Sequence, residues 1–281
     1  MIAACLCHVF KNTLHIFRWN TAAVVLDGDA QPLLVGAGRG LYAPALAHGP
    51  KPHAEGGIAS TPSKAVKAPF DIVHTRITTE GRTAVFHIGV SGKAGALKPT
   101  RTGKLAGSQV FSYVWPTTLD PAVVGFEPGS GTLAFAVTAH PDFDDTPLFD
   151  ENGDGNPSND GKLWHSHWVV LQPDEACGPG ALKVADIPAG QQPRLPKTWP
   201  GLPLLIDSPG WSPRLKGDTL EVRVPFDDIT PVQAARFDGV AAALRVNASV
   251  HSPLLCVADV FKVASGQLSL PGRVEAGAPQ H

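Results

Sequence analysis

The sequence predicts an all-β protein, an antiparallel β-sandwich of the jelly-roll type with one short helix and long Pro- and Gly-rich loops. Two observations lead to this prediction. Nine segments between residues 70 and 263 are rich in β-branched and other apolar residues, many of them alternating with polar ones as in half-buried strands. Turn-forming residues separate these segments, since the 281-residue chain contains 29 Gly and 27 Pro. That composition favours many connections and few long helices.

The nine segments follow one another without an internal repeat. The first two, FDIVHTRIT and RTAVFHIGV, flank a TEGR turn and predict a hairpin. The others are SQVFSYVW, GTLAFAVTAH, LWHSHWVVLQ, ALKVADI, TLEVRVPF, VAAALRVNASV and LLCVADVFKV. One helix of about two turns is predicted in DDITPVQAARF, where Thr230 is a candidate N-cap and Pro231 suits the first helical position. Together these elements predict a single β-sandwich domain over residues 68–270.

The segments outside this domain are predicted to be irregular. Residues 48–67 are rich in Gly, Pro and Ser and predict a flexible linker, and residues 271–281 predict a disordered tail. Residues 1–47 end in Ala45-Leu46-Ala47, which matches a signal-peptidase site, but charged residues interrupt the apolar run before it. They are either a targeting segment or a misassigned N-terminus. The first alternative implies a periplasmic or secreted protein.

Charge and hydropathy argue against two classes of partner. The net charge is −2, and no stripe of Lys and Arg mixed with aromatic residues occurs, so nucleic-acid binding is not expected. No apolar run reaches about 18 residues, so no transmembrane segment is predicted. The nucleophile elbow, the P-loop and a credible dinucleotide-binding motif are absent, which favours a non-catalytic protein. The oligomeric state does not follow from the sequence.

Two cysteines, Cys177 and Cys256, remain if residues 1–47 are removed. In an exported protein such a pair can form one disulfide, whereas in the cytosol both would stay as separate buried thiols. The sequence leaves both alternatives open.

An acidic loop between the fourth and fifth predicted strands is the first candidate metal site. Its side-chain oxygens alternate as at the start of a calcium loop, with Gly155 allowing the sharp turn. The twelfth position is Gly161, where an EF-hand has Glu, so the loop is not an EF-hand. No Lys or Arg lies between Leu105 and Gly161, and a cation would relieve the repulsion among the carboxylates. The alternatives are a Ca²⁺ site and a solvated turn, and the candidate ligands are Asp150, Asn152, Asp154, Asn156 and Asp160.

The segment LWHSHWVVLQ is the second candidate metal site. The period of two along a strand places His165 and His167 on one face, where both imidazoles can bind one ion. His140 ends the preceding strand, and antiparallel pairing would bring it near them across the acidic loop. Asp142 or Asp145 could complete a set of N and O ligands suited to Zn²⁺ or Cu²⁺. The alternatives are structural histidines hydrogen-bonded without a metal, and a catalytic histidine.

Four of the six tryptophans are candidates for contact with a ligand. Trp164 and Trp168 fall on the strand face opposite the histidines. Trp199 and Trp211 lie in the Pro-rich segment 188–217, which is either an ordered loop over a sheet face or a flexible excursion. These aromatic side chains would bind a carbohydrate or another small molecule.

The strand DTLEVRVPFDDI, together with the hairpin FDIVHTRITTEGRTAVFHIGV, resembles the DOMON-like and family 9 carbohydrate-binding-module β-sandwiches. The resemblance spans residues 68–265. It implies a mostly exported domain that binds sugars or haem between or beside its sheets. An axial Met/His pair for haem has no counterpart, because the only methionine is Met1.

Two functions are therefore expected from the sequence. The first is an exported, non-catalytic binding module that Ca²⁺ stabilises at the acidic loop and that binds a carbohydrate or another small ligand. The alternative is a protein or metalloenzyme that binds Zn²⁺ or Cu²⁺ through the His-x-His strand and a third histidine.

Overall fold

A computed structural model describes residues 56–247 and 254–277. These residues belong to one compact unit. None of the helices in the described ranges is long and apolar enough to cross a membrane. The predicted targeting segment 1–47 and the first part of the predicted linker, up to residue 55, lie outside the described residues.

Regular structure in the described ranges is almost entirely β. The strands are β1 (Ile58–Ala59), β2 (Ile72–Glu80), β3 (Thr83–Val90), β4 (Gln109–Pro116), β5 (Thr132–Ala139), β6 (His165–Pro173), β7 (Leu182–Val184), β8 (Ile206–Asp207), β9 (Arg214–Lys216), β10 (Thr219–Pro225), β11 (Arg236–Phe237), β12 (Val240–Val246), β13 (Leu255–Val263), β14 (Gly272–Arg273) and β15 (Glu275–Ala276). Helix α1 spans Thr230–Gln233, and 3₁₀ turns lie at Ala68–Phe70, Pro121–Val124 and Glu175–Cys177.

Each of the nine predicted segments contains a strand, so the all-β antiparallel prediction is confirmed. The predicted helix is also present, but it has a single turn. Thr230 is its first residue, not its N-cap, and Pro231 lies in its first turn as expected. The helix is short because the chain returns to extended structure in β11 from Arg236 onward.

Six strands form a closed, barrel-like sheet in the order β5-β4-β12-β13-β7-β6, and β6 pairs back onto β5. Strand β8 attaches to β6 beside β7. The short β7 closes the ring, because it pairs with β13 through Lys183 and with β6 through Leu182 to Val184. The jelly-roll-like sandwich is therefore not confirmed, since the largest sheet curls onto itself.

A second antiparallel sheet has the order β1-β2-β3-β10-β9, with β15 running parallel to β2. It packs on the outer face of the closed sheet through an aromatic core. Phe86 on β3 lies 4.6 Å from Phe135 and 5.8 Å from Trp168 between ring centroids. Burying these rings supplies much of the apolar area removed from water.

Alternate residues of β5 and β6 belong to different cores. Phe135 and Trp168 face the second sheet, whereas Ala136 and Val169 belong to a separate cluster on the other face of the strands. That second cluster fills the interior of the closed sheet, and its members are mostly Ala, Val and Leu, sizes that fit a narrow barrel. The strand period therefore decides which side chains enter the barrel.

The sheets extend past the boundaries predicted from the sequence. Strand β1 lies inside the segment 48–67 that was predicted to be a linker, and it pairs with β2. Strands β14 and β15 lie inside the predicted tail 271–281 and pair with β11 and β2. In the Pro-rich segment, Leu204 and Ile206 pack on the barrel core, so this part is an ordered loop.

Cys177 and Cys256 form a disulfide with a Cα–Cα distance of 5.4 Å. The bond joins the 3₁₀ turn after β6 to the start of β13, so the two cysteines are not separate thiols in this structure. It ties the segment that follows β6 to β13, and β6 and β13 are the two strands that flank β7 in the closed sheet.

Replacing Cys177 with Ser is expected to lower the free energy of unfolding by about 2–4 kcal/mol, because the bond closes a loop of 79 residues in the unfolded chain. Urea unfolding of the oxidised variant and of wild-type protein checks this. Wild-type protein treated with a reductant should resemble the variant. Equal urea midpoints for oxidised and reduced wild-type protein would contradict the prediction.

His87 on β3 makes stability depend on pH. Burial lowers the pKa of His87 to about 4, and Arg76 and His74 add to the effect. In the unfolded chain the His87 imidazole binds a proton near pH 6.5, whereas in the folded chain it stays neutral until about pH 4. Neutral His87 therefore contributes to the stability of the fold above pH 6.5, and this contribution is lost as the pH falls toward 4. The loss is about 1–3 kcal/mol after allowance for partial exposure.

Urea unfolding between pH 4 and 7 measures this contribution, with His87→Gln as the comparison. The difference in unfolding free energy between wild type and variant should decrease steadily as the pH falls. A difference that is constant over this range would show that His87 titrates equally in both states.

Candidate metal centre

His165 and His167 begin strand β6 with their side chains inside the barrel. They share the face of Val169, whereas Ser166 and Trp168 point the other way, as the period of two predicts. Thr138 of β5 pairs with His165, so His140 lies just beyond this pair at the same end of the barrel. The predicted approach of His140 across the β5–β6 connection is therefore observed.

The connection also brings a carboxylate into the barrel mouth. Asp145 Oδ1 lies 3.1 Å from His140 Nε2, 3.2 Å from His165 Nε2 and 3.4 Å from His167 Nε2. The Nε2 atoms of His140 and His165 are 3.0 Å apart. All four ligand atoms lie within 4.8 Å of one another. We call these four residues the His/Asp cluster, and none of them is more than 6% exposed.

Backbone carbonyls bind the Nδ1 side of two of the three imidazoles. His140 Nδ1 donates to Phe143 O at 3.0 Å, and His165 Nδ1 donates to Leu163 O at 2.9 Å. A carbonyl only accepts, so in both rings Nδ1 carries the proton and Nε2 has the free lone pair in the neutral form. This is the tautomer of a metal-binding histidine, whose second nitrogen is typically hydrogen-bonded in this way.

His167 is oriented from β8 and the residue after it. Its Nδ1 lies 3.1 Å from Ser208 Oγ and 3.3 Å from Asp207 O. Ser208 Oγ donates to Asp145 O at 2.7 Å and can accept from the imidazole with its remaining lone pair. A single hydroxyl therefore positions both a histidine and the segment that carries the carboxylate.

The His/Asp cluster brings the lone pairs of three imidazoles and one carboxylate together in a space that is buried from water. Asp145 Oδ1 and His167 Nε2 are buried and lack a well-aligned hydrogen bond among the described residues, although the three Nε2 atoms lie 3.1–3.4 Å from Asp145 Oδ1. Thr138 Oγ1 lies 3.1 Å from His165 Nε2, within hydrogen-bond distance. Buried lone pairs facing a carboxylate repel one another unless a cation lies between them. That cation is either a proton or a metal ion.

The pKa values indicate where a proton would reside. Burial opposes charge on His140, but the carboxylate of Asp145 raises the pKa of this imidazole above its usual value. Burial, together with the neighbouring imidazoles, lowers the pKa of His165 to about 4. Burial also works against an ionised Asp145, yet the histidines hold the pKa of Asp145 well below its usual value. Without a metal, both directions favour a negative charge on Asp145 and a proton on His140.

The spacing of the ligand atoms also suits a metal ion. A tetrahedral ion with bonds of about 2.0–2.1 Å keeps its ligand atoms about 3.3 Å apart. Four of the interatomic distances in the His/Asp cluster lie between 3.0 and 3.4 Å. A metal ion could therefore be held with small side-chain adjustments.

Two further residues shape the cluster. Phe143 stacks on His140, with 3.9 Å between ring centroids and 7° between planes. Gly161 accepts a hydrogen bond from His140 N at 2.7 Å. A Cβ at Gly161 would lie 1.8 Å from Phe143 O and 2.7 Å from His140 O. Gly161 is also the residue that excludes an EF-hand, because an EF-hand has Glu at this position. Since glycine has no side chain, the loop can pass close to His140 here.

The candidate carboxylate Asp142 lies elsewhere. It accepts hydrogen bonds from Thr102 N at 2.8 Å and Gly103 N at 2.6 Å. Of the two carboxylates considered from the sequence, Asp145 joins the histidines, and Asp142 binds the loop that contains Thr102 and Gly103.

The oxygens of the predicted calcium ligands contact the loop's own amides. Asp150 accepts from Gly153 N at 2.7 Å and Gly155 N at 2.6 Å. Such side-chain-to-backbone bonds are typical of Asx turns. The remaining ligands make similar bonds: Asn152 to Asp154 N, Asp154 to Asn156 N, Asn156 to Ser158 N, and Asp160 to the amides of Asn152. The calcium site stays a prediction from the sequence.

The four predicted ligand-binding tryptophans have different environments. Trp164 Nε1 donates to Gly95 O at 3.0 Å, and Trp199 Nε1 donates to Leu204 O at 3.2 Å. Trp168 is fully buried in the aromatic core. Trp168 and Trp211 both line a cavity of about 890 Å³.

No family model matches this chain, and no curated protein or solved structure is detectably similar to it. The functional proposal therefore depends on the chemistry of the His/Asp cluster.

Proposed function

We propose that this protein binds a transition-metal ion in the mouth of its barrel through the four side chains of the His/Asp cluster. One observation carries the proposal. Three imidazoles, two of them with Nδ1 donating to a carbonyl, direct Nε2 at the same carboxylate oxygen, and all four atoms are within 4.8 Å. Hydrogen-bonded structural histidines would need only one or two such contacts.

Zn²⁺ is the ion that we propose. Three nitrogen ligands and one oxygen ligand, with four of their six separations between 3.0 and 3.4 Å, suit its usual tetrahedral coordination, whereas Cu²⁺ prefers a planar or tetragonal arrangement. Four protein ligands leave no coordination position for a substrate, and the cluster is buried. We therefore assign the ion a structural role, in keeping with the non-catalytic protein expected from the sequence.

The proposal includes an oxidising location, periplasmic or secreted. The disulfide between Cys177 and Cys256 supports it, since such bonds persist mainly outside the cytosol. The resemblance to DOMON-like and family 9 carbohydrate-binding-module domains, the bound Ca²⁺ and the carbohydrate ligand stay predictions from the sequence.

Metal analysis tests the proposal. Protein purified without a polyhistidine tag, and then dialysed, is expected to contain one equivalent of Zn²⁺. Replacing His165 and His167 together with Ala should remove it. His74→Ala is the matched control, because this histidine lies on a strand of the other sheet, and it should retain the metal. Circular dichroism verifies that each variant is folded.

Two results would overturn the assignment. One is protein with no transition metal that also fails to take up added Zn²⁺. The other is metal content that is equal in the double variant and in His74→Ala. Stoichiometric calcium without zinc would instead favour the calcium-stabilised binding module.

A further inference from the structure

We propose that Ser208 is a positioning residue of the proposed metal centre, because it fixes His167 in the tautomer whose Nε2 can bind an ion. This inference rests on the proposed function and deepens it. Ser208 directly follows β8 and is 1% exposed, and its N donates to Thr198 O at 3.0 Å. Its Oγ lies 3.1 Å from His167 Nδ1 and donates to Asp145 O at 2.7 Å. One hydroxyl therefore contacts two of the four proposed ligand residues.

The direction of the hydrogen bond between Ser208 and His167 follows from the bond to Asp145. A serine hydroxyl has a single proton to donate, and a carbonyl can only accept, so the Ser208 proton is directed at Asp145 O. Toward His167 Nδ1 the Ser208 oxygen can therefore only accept, and Nδ1 must carry the proton. Nδ1 also lies 3.3 Å from Asp207 O, which is again an acceptor. Both neighbours of Nδ1 thus require the same tautomer.

A proton on Nδ1 leaves the free lone pair of the neutral imidazole on Nε2. The hydrogen bond made by one ring nitrogen of a histidine decides which nitrogen is available to a metal. His167 Nε2 lies 3.4 Å from Asp145 Oδ1 without a well-aligned hydrogen bond among the described residues, as expected when two acceptors face each other. Backbone carbonyls impose the same tautomer on the other two imidazoles of the His/Asp cluster. With Ser208 in place, all three imidazoles therefore present Nε2 to one ion.

Without the Ser208 hydroxyl, the opposite tautomer of His167 gains an advantage. A proton on Nε2 can be donated to the Asp145 carboxylate, and a hydrogen bond to an ionised acceptor is roughly twice as strong as one between neutral groups. Of the two acceptors near Nδ1, only Asp207 O at 3.3 Å would remain. A protonated Nε2 has no lone pair for an ion, so metal binding would have to displace this proton first.

Zinc titration against a competing chelator tests the effect on affinity. In Ser208→Ala protein the dissociation constant for Zn²⁺ is expected to rise about 10- to 100-fold, the usual effect of removing such a partner of a histidine ligand. Ser166→Ala is the matched control and should bind Zn²⁺ as tightly as wild type. Ser166 is also 1% exposed and donates to a loop carbonyl, Trp211 O, at 2.6 Å, but it lies on the face of β6 opposite the histidines.

NMR of the metal-free, ¹⁵N-labelled protein tests the tautomer directly. Long-range ¹H–¹⁵N spectra distinguish a protonated imidazole nitrogen from one with a lone pair, and His167→Gln identifies the signals of this ring. Wild type and Ser166→Ala should carry the proton on Nδ1, whereas Ser208→Ala should carry a substantial fraction on Nε2. A purely structural role of Ser208 would change stability without moving this proton. The wild-type spectrum tests the tautomer even if Ser208→Ala protein does not fold.

Three results would overturn the role of Ser208. They are a proton on Nε2 of His167 in the wild-type protein, a proton that stays on Nδ1 in Ser208→Ala protein, and equal Zn²⁺ affinity of Ser208→Ala and wild type. Wild-type protein that takes up no Zn²⁺ would instead overturn the proposed function, and the inference about Ser208 with it. The two failures are therefore distinguishable.

Discussion

If the proposed Zn²⁺ is bound, removing it with EDTA is expected to lower the melting temperature by about 8–16 °C. An ion that binds only the folded protein, at about 1,000 times its dissociation constant, stabilises the fold by about 4.1 kcal/mol. For a domain of this size, each kcal/mol shifts the melting temperature by about 2–4 °C. The effect should be large because the chelator leaves buried lone pairs facing Asp145, which only a proton can then balance.

Differential scanning calorimetry with and without EDTA measures this shift. The double variant that lacks His165 and His167 should melt at one temperature under both conditions, and His74→Ala should respond like wild type. If elemental analysis shows that the metal has been removed and the melting temperature is unchanged, the ion does not have a structural role.

Replacing Gly161 with Ala is expected to destabilise the protein by about 4–6 kcal/mol in the presence of metal. The new Cβ would lie 1.8 Å from Phe143 O, so the segment that carries His140 and Asp145 has to move. Overpacking of this kind costs about 3 kcal/mol. A displaced ligand set would weaken metal binding about 10- to 100-fold, which removes about 1.4 kcal/mol of stabilisation for each factor of ten.

The matched control is Gly89→Ala, where the nearest atom to the new Cβ is 3.8 Å away. Neither glycine has a positive φ, so the two variants differ in the space available to the methyl group and not in backbone strain. Urea unfolding and zinc titration should show a large effect at Gly161 and a small one at Gly89. Equal stability of the two variants would contradict the close contact with Phe143.

Much of the fold could be predicted from local pattern. Strands of seven or more residues, such as β2 and β10, contain enough alternating positions to be recognised. Strands of two residues, such as β1 and β8, are too short to show an alternating pattern. The sequence therefore predicts a linker where β1 lies and a loop where β8 lies. Closure of the barrel could not be predicted either. The alternation of apolar and polar residues assigns each side chain to a face of its strand, but it does not say which strands pair with each other.

The candidate site, too, could be predicted only in part from the sequence. His165 and His167 could be assigned to one face, and His140 followed from pairing of adjacent strands. The choice between Asp142 and Asp145 could not be made, because the path of an irregular loop decides it. Ser208 gave no signal, since it lies 41 residues from His167 along the chain and serine is common in loops.

The His/Asp cluster has a consequence for the order of folding. All four ligands come from β6 and the connection that joins it to β5, within residues 140–167, so assembling them requires closure of only a short stretch of chain. The entropy lost on closure is smaller than for contacts between distant segments. A bound ion can therefore hold this hairpin together while the chain is otherwise unfolded, before β12 and β13 arrive to complete the barrel. Metal binding would then act on the nucleus of folding as well as on the finished structure.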